Sequence, residues 1–533
     1  MAKLERTDKP ISVLLEELDK GELGLPEIQR GYVWNRPQAR DLLDSLYREY
    51  PSGLILLWKP EELPELRQGS FRQKVDHDKR PSLLVLDGQQ RLTSLQRVFS
   101  GTIDVYFHVE DETFQIYSAK LKANPLWVSV REVLSRGAVK VWRDLRERLR
   151  AESVKVEESK LDEYLDRLTR LEKVKEYRYP VMIIHTDDYE EVTESFIRIN
   201  SRGTRLREAE LAMAQLAFRW PGAIVREFEA ALEEYSQAHY DLEARFLMRC
   251  FVAVGTNQSR FRHLGKLWEK GLGELQTIWR STRKGVDHTI NFLKNNAGIE
   301  SSRWIPSINA LVPLVVYFAK GGGEPLSDEE TKGLLFWFFQ ATVHGRFTGS
   351  PEAKIDQDLR AIAEQRSPEG LIANLRREIA GFDITPEMIE GKYQRHPFLP
   401  LVFTIFRQNE ARDWFTGTVL SSTNVGPEHQ IELHHIFPRA VLKRESEFET
   451  HEIDDLSNIA FLSQRANRVI LNAPPDQYLP GIEPERLQAQ LVPLDARLWG
   501  IGRFRDFLAT RRDLLTKAIN EYLRGLGGEY YRQ

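Results

Sequence analysis

The chain has one cysteine, Cys250, in 533 residues. That excludes an internal disulfide framework and any multi-cysteine zinc site, and it fits a reducing compartment best. The surrounding RFLMRCFVAV reads as a buried helix with no part in catalysis. Long apolar runs are also lacking. None approaches the ~20 residues that a membrane-spanning helix needs, and Leu311 to Ala319 and Leu334 to Phe339 read as buried helices. The opening MAKLERTDKP has no apolar core of the kind a secretory signal requires. The expectation is a cytoplasmic protein with no membrane partner. An excess of positive charge is missing too. With a net charge of −4 and a pI near 6.4, any grip on nucleic acid must come from local clusters of Lys and Arg, because phosphate contacts dominate DNA affinity.

What is present is ample core material. Apolar residues at 41% and charged residues at 29% place the chain among globular proteins. Its length suits three or four domains.

The most informative stretch runs from IELHHIFPRAVL, starting at Ile431, to LSNIAFLSQRANRVI, ending at Ile470. His434 and His435 follow a short apolar run and precede Ile436, Phe437 and Pro438, so the pair sits where a strand ends. Neighbours on a strand point to opposite sides, which suits a division of labour between cation binding and water activation. Ile459 to Leu462 reads as a second short strand opened by Asn458. Gln464 to Ile470 starts a helix that carries Asn467. The sequence His-His, Asn, helical Asn resembles the ββα-metal, or HNH, nuclease motif. By that resemblance His435 is the general base. His434 and Asn467 are the metal ligands, and Asn458 fixes the loop that carries the base. A neutral imidazole with a pKa near ~6.5 can take a proton from water at physiological pH. Two nitrogen and oxygen ligands of this kind imply a loosely held Mg²⁺ or Mn²⁺ rather than a tightly held Zn²⁺.

The amino-terminal third has a different organisation. Ile11 to Leu18 reads as a short amphipathic helix, and Asn35 caps a helix in which Pro37 suits an early position. Gly53 to Trp58 and Leu83 to Leu86 read as buried strands. After the second of these, Asp87 and Gly88 form a turn and a helix begins by Gln90. A strand, a glycine turn and a helix start gather backbone N–H groups where an anion can bind. The blocks IQRGYVW (from Ile28), DGQQRLTSL (from Asp87) and FIRINSRGTRLREAEL (from Phe196) resemble the signature blocks of the amino-terminal domain of GmrSD-type type IV restriction endonucleases. The resemblance implies a ParB/sulfiredoxin-like α/β core that binds and hydrolyses a nucleoside triphosphate (GTP, UTP or ATP). Gln29, Arg30, Asp87, Gly88, Gln89, Gln90 and Arg91 would line its pocket, with Asn200 nearby.

The fold expected is therefore multidomain α/β plus α. Residues 1–222 form the nucleotide-binding domain, 223–391 a helical linking region and 392–533 the HNH nuclease domain. The arginines Arg503, Arg505, Arg511 and Arg512 are expected to fall on a terminal helix, as a solvated face or as phosphate contacts. His344 to Phe347 reads as an exposed turn, and Glu432 is given no catalytic role. The function expected is an NTP-dependent endonuclease that nicks or cleaves modified DNA in antiviral defence, a reading compatible with a homodimer. The alternative is a nucleotide-dependent DNA-binding adapter whose HNH fold is inactive.

Overall fold

The computed structural model describes residues 3–27, 34–64, 66, 80–119, 121, 124–152, 154, 156–188, 191–192, 208–391, 396–421, 430–445 and 447–531. Two compact units are distinguished, Met1–Glu227 and Phe228–Gln533. The stretches expected as a helical linker and as a nuclease domain fall within the second, apart from residues 223–227.

The first unit holds eight strands among its described residues: β1 (Lys3–Pro10), β2 (Leu23–Gly24), β3 (Ile55–Lys59), β4 (Leu83–Asp87), β5 (Val105–His108), β6 (Thr113–Ile116), β7 (Trp127–Ser129) and β8 (Arg178–His185). Five form a mixed sheet in the order β1-β8-β3-β4-β2. β3 is parallel to β8 and antiparallel to β4. Unbroken apolar runs give β3 and β4 their burial, as a strand covered on both faces requires. β1 is the element that patterning misses: its KLERTDKP is mostly exposed, and it pairs along its whole length with β8 as a polar edge strand. The expected helix starts are present. Asn35 accepts from the Gln38 amide at 3.0 Å and closes a capping box over Arg36–Tyr47. Helices Ala138–Ala151 and Glu158–Glu172 pack against each other.

The second unit is chiefly helical. The run Phe336 to Phe339 is fully buried, as the sequence predicts for a packing stripe, and Cys250 is buried, which pushes its thiol pKa up. The expected exposed turn near His344 is instead buried at Arg346 and Phe347. The Arg346 guanidinium forks onto Asp358 at 2.9 and 3.0 Å and pairs with Glu378 as well, so its charge is buried against two carboxylates. Within this unit β9 (Ile431–His435) pairs antiparallel with β10 (Ile459–Ser463), and the helix Gln464–Ile470 follows directly.

Two strands alone are marginal in water, and the ribbon is held by side chains along its edges. Gln490 brackets the backbone of Phe461, accepting from its N–H and donating to its carbonyl, both at 2.9 Å. Asp413 accepts from the Ser463 amide at 2.8 Å. Arg511 lies on the apolar stripe of the Phe504–Gly527 helix, is fully buried, and donates to the carbonyls of Ser457 and Ile459 at 2.8 Å each. It therefore clamps the chain on both sides of Asn458, and both expectations for Arg511, a solvated face and a phosphate contact, are corrected. Arg505 pairs with Glu452, Arg503 with Asp506, and Arg512 with the buried Asp455.

Candidate functional site

Asn458 shows how the site is built. Its side chain is fully buried. Its Oδ1 accepts from the Phe437 amide at 2.8 Å, while its Nδ2 donates to the carbonyls of Phe437 and Ile453 at 3.1 and 3.0 Å. Both its N–H donors and its carbonyl oxygen thus serve the turn that follows His435 and the segment that leads back to β10. Tyr478 adds a hydroxyl bond to the Ile436 carbonyl at 2.9 Å. The turn after the two histidines is fixed by side chains on later parts of the chain.

His434 and His435 occupy the last two positions of β9, opposite Ala460 and Ile459. His434 is buried, and its Nδ1 lies 2.6 Å from Asn467 Oδ1. The amide orientation of Asn467 follows from its other contact, Nδ2 donating to Glu432 Oε2 at 2.6 Å. Two lone pairs cannot face each other at that separation, so a positive centre must sit with them: the Nδ1 proton, or a cation that both atoms bind. His434 Nε2 is buried with no hydrogen-bond partner. Neither tautomer is therefore satisfied by protein groups alone, which is a poor arrangement for a structural histidine and a reasonable one for a ligand. Burial draws the His434 pKa down to about 4, so the ring is neutral at physiological pH, as ligation requires. A ring nitrogen and an amide oxygen, as His434 and Asn467 offer, are donor types that a divalent cation could take. Among the described residues no group of three or more His, Cys, Asp or Glu side chains is placed to hold a metal between them.

His435 is oriented by a carboxylate. Its Nε2 lies 3.0 Å from Asp454 Oδ1, and Arg439 pairs with the other Asp454 oxygen at 3.1 Å. With Asp454 accepting, the proton resides on Nε2 and Nδ1 is the basic atom of the ring. Burial lowers the His435 pKa, and the Asp454 hydrogen bond opposes that shift. The two histidines, Arg439, Lys443, Asn467 and Leu471 line an open cleft of about 430 Å³. Sequence reasoning missed Asp454 and set Glu432 aside. Asp454 is the first of an acidic doublet just upstream of Asn458, and that doublet was the available signal.

The turn after β4 belongs to the first unit. Gly88 has φ +94, and a Cβ there would meet Ile55 Cδ1 at 2.3 Å, so glycine is required. The Gln89–Phe99 helix begins at Gly88 with no side-chain cap. Arg91 donates to Asp87 Oδ2 at 2.8 Å and to the Ser52 carbonyl at 2.7 Å. Gln89 is buried with an unpaired Nε2, and its Oε1 accepts from Gln90 at 3.2 Å. Gln90 also accepts from the Trp34 amide at 3.3 Å. Gln29, Arg30 and Asn200 lie outside the described residues.

Residues 11–217 match the GmrSD restriction endonuclease N-terminal domain family. The match supports a GmrSD-like restriction enzyme, and it ends well before the ββα element. The chain is also similar to the uncharacterized protein MJ0686 of Methanocaldococcus jannaschii, at 23% identity over 538 residues, covering 90% of this chain and 87% of that protein. Among the described residues no helix is long and apolar enough to cross a membrane.

Proposed function

We propose that the chain is an NTP-dependent endonuclease that nicks or cleaves modified DNA, with an HNH-type centre in its second unit. One observation carries the reading: His434 Nδ1 and Asn467 Oδ1 converge to 2.6 Å beside a cleft that His435 also lines. His434 and Asn467 would hold Mg²⁺ or Mn²⁺, which when bound supplies Lewis-acid stabilisation of charge on the scissile phosphate. His435 takes the proton of the attacking water. Asp454 keeps the ring in the right tautomer and stabilises the imidazolium that results. Asn458 holds the turn so that the base does not wander. Arg439 and Lys443 give the cleft the local positive charge that the acidic chain as a whole lacks.

In the first unit, a ParB/sulfiredoxin-like core would receive a nucleoside triphosphate. The start of the Gln89–Phe99 helix would offer the phosphates the positive end of the helix dipole. Gly88 allows close approach, and the Asp87–Arg91 pair keeps the turn in shape. Gating by the nucleotide is physically sensible, since an unregulated nuclease would cut its host. Shifting a two-state equilibrium from 1:99 to 99:1 takes roughly 5.5 kcal/mol of differential binding.

The test uses phage DNAs that differ only in cytosine modification, incubated with Mg²⁺ or Mn²⁺ and with GTP, UTP, ATP or no nucleotide. Nicks confined to modified DNA with a triphosphate are expected. Intact DNA under every condition would favour the inactive adapter.

A further inference from the structure

Among the described residues, the two most exposed large apolar side chains stand two positions apart in the chain. Leu471 is 70% exposed and Val469 is 58% exposed. Both follow the Asn467 position on or just past the short helix Gln464–Ile470. Leu471 itself lines the cleft beside His434, His435 and Asn467.

Leu471 is also held in an unfavourable backbone conformation, φ 51° and ψ −110°. A β-carbon clashes with its own backbone there, so glycine is the residue that the fold alone would favour. The turn is tied on both sides: the Leu471 amide donates to the Asn467 carbonyl at 3.1 Å, and the Ala473 amide donates to the Ile470 carbonyl at 3.0 Å. A bulky apolar side chain is therefore presented rigidly to solvent at a cost in conformation and in hydration. Such a combination persists where the side chain has a task.

The surroundings say what the task is. Arg465 and Arg468 are exposed on the same helix, and Arg439 and Lys443 line the cleft. An apolar tip set among cations does not fit a protein core or a lipid tail. It does fit duplex DNA, whose phosphates pair with the cations while the stacked bases offer an apolar slot.

We infer that Leu471, backed by Val469, is a wedge that inserts between base pairs next to the scissile phosphate, unstacking one step of the duplex and holding it bent over the cleft. The inference rests on the nuclease reading for its choice of partner. Apolar wedges of this type kink and unwind DNA from the minor groove.

The experiment measures unwinding without needing the cut position. Nicked circular plasmid, made with either ordinary cytosine or 5-hydroxymethylcytosine, is bound by the full chain carrying His435→Ala. The nick is sealed with ligase, the protein is removed and the topoisomers are counted. The expected result is a shift in linking number that falls by at least about fivefold when Leu471→Ala is added at equal DNA occupancy. Leu471→Gly should lose the shift as well while its melting temperature holds or rises, an outcome that a structural role for the leucine would not give. An equal shift with and without the leucine overturns the wedge.

Plasmid nicking by the unaltered chain is run alongside. Nicking without any shift in linking number sinks the wedge and leaves the nuclease reading standing. A leucine-dependent shift without nicking does the reverse, and failure to retain either plasmid removes both.

Discussion

Replacing Asn458 by alanine removes a side chain that makes three hydrogen bonds at zero exposure. The change strands the Phe437 N–H and leaves the Phe437 and Ile453 carbonyls short of a partner. An unpaired buried donor costs about 1–3 kcal/mol, and under-satisfied carbonyls cost less because they have two lone pairs. The sum is about 3–4 kcal/mol. That is well short of unfolding a unit with a core of this size, yet it is concentrated on the turn that carries His435. Two measurements should therefore move together. Hydrogen exchange in the peptide spanning Ile436 to Arg439 should speed up by at least about 10²-fold, following the local free energy. DNA nicking should fall by about 10²-fold or more, because a base displaced by about 1 Å loses its alignment with the water. Asn458→Asp should do worse, since it buries a carboxylate against the two carbonyls that Nδ2 now serves. Nicking within about twofold of the unaltered chain, with unchanged exchange at Phe437, would refute the claim that this amide holds the base.

Other consequences follow from the same geometry. Asp454→Asn should lower nicking by about 10–100-fold, because the partner that fixes the His435 tautomer loses its charge and its pairing with Arg439; steady-state rates with intact melting would establish this. Glu27 gives a pH prediction for the first unit. Burial raises its pKa from 4.5 to about 7, against a 2.8 Å bond from the Gly222 amide. The folded state thus favours the protonated carboxyl: its stabilising effect is complete below pH 4.5 and is lost as pH rises through about 7. The loss amounts to about 3 kcal/mol at most, and Glu27→Gln should flatten the slope in urea titrations across that range. Arg511→Met should lower the melting temperature and nicking together, because the carbonyls of Ser457 and Ile459 lose their donor on both sides of Asn458.

The parts of this molecule that were legible in its sequence are those where local pattern and burial agree. The apolar runs of β3 and β4, the Asn35 cap and the Ile459 to Ile470 strand and helix signalled themselves, because short-range chemistry decides them. β1 did not: KLERTDKP has no apolar face, and only pairing with β8 makes it a strand. The site was half legible. His434, His435, Asn458 and Asn467 stand out as residue types, but their supports come from distant chain segments. Arg511 illustrates the limit and a usable clue. It falls on the stripe of Phe504, Phe507, Leu508, Leu515 and Ile519, so helical spacing marks it as inward-facing, although arginine is rarely buried. Burial pulls its pKa down to about 9 and leaves it cationic at neutral pH. Glu432 looked like an ordinary strand residue, because nothing nearby in sequence reveals that its carboxylate orients the Asn467 amide.

The central claim is that His435 is the base of a metal-dependent nuclease centre served by a separate nucleotide unit. It is tested most directly by comparing the unaltered chain with His435→Ala in one tube that contains modified DNA, Mn²⁺ and a triphosphate, with nicks and phosphate release counted together. The account predicts that His435→Ala abolishes nicking and leaves nucleotide turnover in place. Nicking that survives the substitution would contradict it.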